Sequence, residues 1–301
     1  MAYINICGTD IEYKDIPCKI NGKAIDNYPS PHINIQVVLT NKCNANCKFC
    51  AYHTDRGKAF DVAKFLAGVT AINKRVLIPT VTFTGGEPSF ELDVLKYCIS
   101  YIQRLNSDIR IKVNTNGKNL ESTAGLDIWQ LSLSRHHLDD CINAKIFGVD
   151  IHEIPSLNDI NALTEKQKNR LHISCNIIDR YVDSFDKMLS FIFKMGSLGI
   201  YDIGFVSLMG VTEWAKKRSI DFKNLNIKEG KNFVFGRHCE YVKDGQVCCE
   251  CQVYNVLHNN GKVGIAYNRF ARKNNSTEAN LVYQIDTWKQ GFYGPEIILH
   301  T

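Results

Sequence analysis

The chain has 301 residues, of which 45% are hydrophobic and 22% charged. This composition predicts a folded protein with a large core, and the length is sufficient for one α/β barrel with an appendage. Lys and Arg outnumber Asp and Glu by 36 to 31, and a net charge of +5 is too small to argue for a nucleic-acid partner. The first residues lack a basic segment followed by an apolar run, and no stretch approaches about 18 consecutive apolar residues, so we expect a cytoplasmic protein without a signal peptide or membrane span.

Short β-branched segments alternate with helical segments through the first two thirds of the chain. Residues 1–32 form an N-terminal extension, in which prolines and the pair Asn21 and Gly22 predict turns and a hairpin. The predicted strands are 33–39, 81–83, 109–113, 128–133, 172–177 and 202–208. The clearest predicted helices are 62–71, 92–105, 160–170 and 184–195.

Six strands that alternate with helices predict parallel βα units, and therefore an α/β fold with a partial (β/α)6, TIM-like barrel over residues 33–221. In such barrels ligands gather at the carboxyl ends of the strands. The chemically unusual residues of this chain lie at those ends. Three cysteines follow the first strand, T-G-G-E-P (84–88) the second, N-T-N-G (114–117) the third and S-R-H-H (134–137) the fourth. We therefore expect one shared site at that edge.

The alternation of strands and helices ends near residue 210. We expect a small C-terminal domain over residues 222–301, in which Asn260 and Gly261 between two apolar runs predict a β-hairpin.

Twelve cysteines are a high count for the expected cytoplasmic protein, in which thiols stay reduced and clustered thiols bind metals. Cys43, Cys47 and Cys50 have the spacing C-x3-C-x2-C. A tetrahedral structural zinc site takes four ligands, and His53 is close enough in sequence to complete one. Thiolates also hold iron–sulfur clusters, and a [4Fe–4S] cluster with three protein ligands keeps one iron open for another ligand, as a catalytic site does.

The segment C-N-A-N-C-K-F-C, with Phe49 before its third cysteine, resembles the signature of the radical S-adenosylmethionine (radical SAM) superfamily. T-G-G-E-P resembles the GGEP motif of that family, and N-T-N-G resembles the segment that follows its third strand. Segments 173–178 and 203–209 are similar to the fifth and sixth strands of the branch that contains the molybdenum-cofactor enzyme MoaA. The resemblance covers residues 33–210.

This resemblance implies that Cys43, Cys47 and Cys50 bind three irons of a [4Fe–4S] cluster, and that S-adenosylmethionine (SAM) binds the fourth iron. The residues that would hold SAM are Gly85, Gly86, Glu87 and Pro88 at its amino group, Phe49 and Tyr52 near its adenine, and Asn114, Asn116, Ser132 and Ser134 at its ribose and carboxylate. The last four are equally explained as ordinary hydrogen-bonding residues at strand ends. Reductive cleavage of SAM would give a 5′-deoxyadenosyl radical that takes hydrogen from an unactivated C–H bond.

A second cysteine group comprises Cys239, Cys248, Cys249 and Cys251. Cys248 and Cys251 form a C-x2-C pair, Cys239 lies across a predicted short turn, and Cys249 is either a fourth ligand or a neighbour that points away. The group resembles the auxiliary-cluster regions of MoaA-like and SPASM or twitch enzymes, which implies an auxiliary [4Fe–4S] cluster; zinc or unliganded thiols are the alternatives. The spacing departs from both patterns, and it limits the chain to one auxiliary cluster.

Arg135, His136 and His137 follow the fourth predicted strand and are candidate catalytic residues. An arginine binds a phosphate or carboxylate through two hydrogen bonds, and a histidine shuttles a proton. The alternative is a helix start, with Asp139 or Asp140 as its cap and the basic residues exposed.

These features predict a radical SAM enzyme that modifies a peptide, such as a ribosomally made precursor, or another natural-product precursor. The alternatives are rearrangement, cyclisation or epimerisation of a small molecule such as a nucleotide or sugar, activation of a glycyl-radical protein, and a non-catalytic iron–sulfur protein. The expected partners are the substrate and an electron donor such as flavodoxin or ferredoxin, with no nucleic acid and no membrane.

Overall fold

A computed structural model of the chain describes residues 2–13, 19–20, 23–24, 32–50, 59–243, 246–270, 280–291 and 295–299. Its strands are β1 (Ala2–Ile6), β2 (Thr9–Tyr13), β3 (Lys19–Ile20), β4 (Lys23–Ala24), β5 (Asn34–Thr40), β6 (Thr80–Gly85), β7 (Arg110–Thr115), β8 (Gln130–Ser134), β9 (Leu171–Ile177), β10 (Asp202–Ser207), β11 (Phe233–Lys243), β12 (Gln246–Leu257), β13 (Val263–Arg269), β14 (Asn280–Gln284), β15 (Thr287–Gln290) and β16 (Glu296–Ile297). Its helices are α1 (Val62–Asn73), α2 (Leu92–Leu105), α3 (Leu120–Ala124), α4 (Asp140–Phe147), α5 (Leu157–Ala162), α6 (Glu165–Lys168), α7 (Phe185–Ser197) and α8 (Glu213–Arg218), with short 3₁₀ segments at Pro88–Glu91, Ile151–Glu153 and Phe222–Asn224.

Fourteen of these strands form one sheet, in the order β16-β15-β14-β5-β6-β7-β8-β9-β10-β13-β12-β11-β3-β4. The six predicted strands, β5 to β10, are its centre, and each pairs in parallel with its neighbour. Two later strands extend this parallel part, because β13 pairs with β10 and β14 pairs with β5. Their other neighbours, β12 and β15, are antiparallel and belong to hairpins. The α/β fold with a partial TIM-like barrel is confirmed.

The two faces of the central sheet differ in polarity. Successive side chains of a strand point to opposite faces. One face is apolar and buried under the helices, as Phe83, Val113 and Phe205 show with 0% exposure. On the other, concave face the alternate residues are polar and half-buried. They include Asn114, Ser132, Ser134, Ser174 and Asn176.

Two local predictions need correction or completion. The predicted helix 160–170 is two helices, because Thr164 starts α6 with its own capping box to Gln167. The N-terminal extension contains the antiparallel pair β1 and β2, joined by Cys7 and Gly8 with φ of 49° and 83°, which suits a two-residue hairpin turn.

Both predicted hairpins are present. β3 and β4 are antiparallel on either side of residues 21–22, which lie outside the described ranges, and β12 and β13 are antiparallel on either side of the Asn260 turn. The boundaries predicted at residues 32 and 221 stay predictions, and β11 to β16 join the same sheet as the barrel strands. None of the helices in the described ranges is both long and apolar enough to cross a membrane.

Candidate active site

The first three cysteines lie on the loop that follows β5, at the carboxyl edge of the sheet. Cys47 is 8% exposed, and its Sγ atom lies 3.7 Å from the carbonyl oxygen of Phe147. The N–H of Asn46 donates to the same carbonyl at 2.8 Å. Helix α4 ends at that carbonyl, since Gly148 adopts a left-handed C-cap with φ of 67°. The end of α4 therefore supports the cysteine loop.

The thiols of this loop are electrostatically coupled. Burial, and then the neighbouring Cys50 and Cys43, raise the pKa of Cys47 to about 12. Burial also raises the pKa of Cys43, against the hydrogen bonds from Ala45 and Asn116. Thiolates this close together would need positive charge to be stable, and bound iron would supply it.

A single metal ion and a cluster place different demands on these cysteines. In the described ranges, no group of three or more His, Cys, Asp and Glu side chains is arranged to hold one metal ion. Each thiolate of a [4Fe–4S] cluster binds a different iron, so its cysteines need not converge on one point. His53, the predicted fourth zinc ligand, and Tyr52 lie outside the described residues.

The glycine turn after β6 packs directly against the cysteine loop. The N–H of Gly86 donates to the Thr40 carbonyl at 2.7 Å, and the N–H of Glu87 donates to the Lys42 carbonyl at 2.8 Å. A Cβ atom on Gly86 would lie 2.2 Å from the Lys42 oxygen. Gly85 has φ of +135°, and its Cβ would lie 2.3 Å from the Thr40 oxygen. The glycines are thus required by the contact between two loops, a reason that the sequence alone did not supply.

The Glu87 carboxylate connects this turn to the end of β7. It is 0% exposed and accepts hydrogen bonds from Ser89 N at 3.0 Å, Thr115 Oγ1 at 2.8 Å and Asn116 N at 2.7 Å. Burial raises the pKa of Glu87, and these donors oppose that effect. Pro88, also buried, begins the following 3₁₀ segment.

The four predicted ribose and carboxylate ligands divide into two groups. Asn114, Ser132 and Ser134 lie on the concave face, with Asn114 and Ser132 paired in register. Asn116 is 8% exposed and its side chain contacts the cysteine loop instead. The role of all four in binding SAM stays a prediction.

Arg135 is buried, with 1% exposure. Its guanidinium donates to the carbonyls of Pro155 at 3.0 Å and Leu138 at 2.9 Å and forms an ion pair with Asp140. Burial lowers the pKa of Arg135, and Asp140 opposes that effect. These contacts hold the loop between β8 and α4.

His136 is 3% exposed, and its ring packs between Phe147 and Phe49 at centroid distances of 4.9 Å and 5.4 Å. Its Nδ1 atom accepts the N–H of Asn176 at 3.0 Å. Burial, and then the charge of Arg135, lower the pKa of His136 to about 3, so the ring is neutral. Because the neutral ring of His136 contacts Phe49, it helps to order the cysteine loop.

The predicted helix start is present, with Asp139 as its cap: the Asp139 carboxylate accepts the N–H of Ile142 at 2.9 Å. His137 is half-buried, and its Nδ1 atom accepts the N–H of Asp139 at 3.0 Å. The alternative in which the basic residues are exposed is wrong for Arg135 and His136. A catalytic role for any of the three stays a prediction.

Phe49 has a second aromatic neighbour that the sequence did not reveal. The Trp214 ring lies 6.2 Å from it, and the Thr212 hydroxyl donates to the Lys48 carbonyl at 2.9 Å. The segment after β10 therefore contacts the cysteine loop. Its aromatic and threonine residues carry no motif, so only the fold brings them to the site.

The second cysteine group lies on the β11–β12 hairpin. Cys239 and Cys251 are paired in register and are both half-buried. Cys251 is also paired with Arg269, which lies two residues after Tyr267 on the concave face of β13. Residues that face each other across strands share a face, so Cys239 and Cys251 lie on the concave face too. Cys249 pairs with Tyr241 and Cys248 is the extra residue of a β-bulge, while the side chains of both lie outside the description.

A polar network that the sequence did not predict spans four strands of the concave face. The Tyr267 hydroxyl lies 2.7 Å from His172 Nε2, and His172 Nδ1 lies 2.9 Å from Asp202 Oδ1. Gln130 donates to the other Asp202 oxygen at 3.0 Å. Tyr267 crosses β10 at Gly204, where a Cβ atom would lie 2.6 Å from the tyrosine Cζ. Burial and the charge of Asp202 raise the pKa of Tyr267.

The fold and the site together define an α/β barrel with a group of cysteine thiols at the carboxyl edge of its sheet. The chain belongs to the radical SAM superfamily, whose family model matches residues 37–195. Enzymes of this superfamily use a [4Fe–4S] cluster and SAM.

Curated relatives are probable GTP 3′,8-cyclases. The protein from Saccharolobus islandicus is 26% identical over 215 residues, which are 67% of this chain and 66% of that protein. The protein from Thermococcus kodakarensis is 30% identical over 134 residues, or 42% of each chain. The chain thus spans about two thirds of the first of these relatives.

Among solved structures, the chain is similar to Streptococcus suis SuiB bound to SAM. The identity is 17%, the TM-score is 0.48, and the match covers 66% of this chain and 44% of SuiB.

Proposed function

We propose that Cys43, Cys47 and Cys50 hold three irons of the [4Fe–4S] cluster and that the glycine turn receives SAM beside the fourth. Support comes from the electrostatic interaction among the three thiols, from their sulfur atoms as iron ligands, and from the close fit of Gly86 against the cysteine loop. When bound and reduced, this cluster supplies one electron for cleavage of SAM to methionine and the radical that takes hydrogen from substrate. The protein residues orient the cysteines and shield them from water.

We propose further that the substrate is a small polar molecule with a phosphate or carboxylate, such as a nucleotide or a sugar phosphate. The observation that carries this proposal is the polar, half-buried concave face, which includes Asn114, Ser174 and Asn176. Arg269 lies at the carboxyl end of β13 on the same face, where a guanidinium suits an anionic group. Similarity to GTP 3′,8-cyclases over two thirds of the chain supports the same substrate class.

One observation favours a peptide as the second candidate. The concave face continues beyond the barrel as an exposed apolar strip, formed by Val234, Leu257, Val263 and Ile265 with exposures of 44%, 38%, 67% and 40%. Their register places them on the face of Tyr267. An extended peptide would lay apolar side chains on this strip and present one residue to the polar face.

Binding and turnover separate these two candidates. The reconstituted protein is incubated anaerobically with SAM, a reductant and one probe: GTP, glucose 1-phosphate or an apolar ten-residue peptide. We expect an anionic probe to stimulate formation of 5′-deoxyadenosine, and Arg269→Gln to weaken its binding by about tenfold or more, as loss of a charged hydrogen bond would. Arg104→Gln, at an exposed residue of α2, is the matched control. Stimulation by the peptide alone would overturn the small-molecule proposal.

We also propose an auxiliary [4Fe–4S] cluster held by Cys239, Cys251 and one or both of Cys248 and Cys249. Its support is the pairing of Cys239 with Cys251 on the face that also carries Arg269. A second cluster predicts about eight irons per chain after reconstitution, whereas about four would contradict it. The cytoplasmic location and the flavodoxin or ferredoxin donor stay predictions.

A further inference from the structure

Asn116 is a buried amide whose polar atoms all have protein partners. Its Nδ2 atom lies 2.8 Å from Asn44 Oδ1 and 3.6 Å from Cys43 Sγ, and its Oδ1 atom accepts the N–H of Lys118 at 3.0 Å. A backbone N–H can only donate, so Lys118 fixes which end of the amide is oxygen. The –NH₂ group must therefore face Asn44 and the cysteine sulfur.

The partners of Asn116 are fixed as well. The Asn44 amide donates to the Glu153 carbonyl at 2.9 Å, which leaves Asn44 Oδ1 as the acceptor for Asn116. The N–H of Asn116 itself donates to the buried Glu87 carboxylate at 2.7 Å. Asn116 thus joins the glycine turn to the cysteine loop, and its –NH₂ group is held against Cys43 from two sides.

Cys43 receives a second N–H donor from its own loop. The N–H of Ala45 lies 3.3 Å from Cys43 Sγ. Hydrogen bonds to the sulfurs are one of the factors that set the reduction potential of an iron–sulfur cluster. A donor stabilises negative charge on the sulfur, and this charge increases when the cluster takes up an electron.

We propose that Asn116 is a positioning residue that raises the reduction potential of the SAM-binding cluster through its hydrogen bond to Cys43. This inference rests on the proposed ligation of iron by Cys43. The reaction that it favours is uptake of one electron from an external donor of the flavodoxin or ferredoxin class. Asn116 accordingly acts on the ease of reduction.

The test is the midpoint potential of the full-length reconstituted protein, measured by redox titration with electron paramagnetic resonance. The signal followed is the one that changes when SAM is added, so that any auxiliary cluster does not interfere. Asn116→Ala removes the donor without adding charge, and Asn116→Asp removes it while keeping an acceptor for Lys118. We expect both variants to be about three- to tenfold harder to reduce, and tenfold equals about 59 mV for one electron.

Asn119→Asp is the matched control, because it makes the same chemical change in the same loop at an exposed residue whose amide contacts Ser89. It should shift the equilibrium constant for reduction less than about twofold. An unchanged potential in Asn116→Ala, or an equal shift in Asn119→Asp, would overturn the proposal.

If a variant takes up no iron, the hydrogen bond can still be tested on the wild-type protein. Exchange into D₂O should shift the iron–sulfur stretching bands in its resonance Raman spectrum, since the N–H groups of Asn116 and Ala45 that face Cys43 are exchangeable, and no shift would overturn the hydrogen bond. Failure of the underlying ligation has a different signature: Cys43→Ala would then keep the SAM-responsive signal at its wild-type intensity.

Discussion

A fall in pH from 7.5 to 5.5 should destabilise the folded chain through His136. Burial lowers the pKa of this residue to about 3 in the folded protein, while an unfolded histidine titrates near 6.5. A depressed pKa in the folded protein means that the unfolded state binds more protons below pH 6.5. The contribution of the neutral His136 ring to the free energy of unfolding is therefore complete above that pH and is lost as the pH falls toward 3. At pH 5.5, one unit below the unfolded pKa, the loss amounts to about 1.4 kcal/mol.

The assay is anaerobic urea unfolding of the wild type and of His136→Asn at both pH values. Asparagine places an oxygen near the position of Nδ1, so that it can still accept the N–H of Asn176. Loss of ring packing against Phe147 lowers the stability of the variant equally at both pH values, and it cancels in the comparison. The wild type should lose about 1.4 kcal/mol more than the variant between pH 7.5 and 5.5. Equal losses would show that the folded ring takes up a proton, and they would refute our account of a neutral, structural His136.

Two glycines give further predictions from the space around them. Gly86→Ala should lose most of its cluster iron after reconstitution, because its Cβ would lie 2.2 Å from the Lys42 carbonyl oxygen; iron per chain is the measurement. Gly204→Ala should displace the Tyr267 phenol and cost about 1–3 kcal/mol of stability, measured by urea unfolding. Gly230→Ala, whose Cβ would meet nothing within 4 Å, is the control for both, and an equal effect there would contradict the steric argument.

The barrel strands were accessible to prediction because each is a short β-branched run between helices. The predicted segment 172–177 corresponds to β9, and 92–105 has the bounds of α2. The two outer parallel strands, β13 and β14, were not predicted as part of the barrel sheet. They follow no βα alternation, and only long-range pairing with β10 and β5 places them there.

The motifs pointed to a candidate site, but the partners of each side chain could not be predicted from them. The sequence grouped Arg135 and His136 with the catalytic candidates since both types bind ligands and protons. Their burial follows from contacts with Asp140 and Asn176, which lie on different elements. Tyr267 and His172 are 95 residues apart and belong to no motif, so their contact required the sheet register.

The central claim is that the loop with Cys43, Cys47 and Cys50 makes this chain a SAM-cleaving enzyme. The most direct test is 5′-deoxyadenosine formation by the anaerobically reconstituted, reduced protein, quantified alongside its iron content. We predict that the wild type forms 5′-deoxyadenosine, that Cys47→Ala forms none, and that Cys141→Ala, at an exposed cysteine of α4, matches the wild type. The absence of 5′-deoxyadenosine from wild-type protein that carries its cluster, or its formation by Cys47→Ala, would contradict the claim.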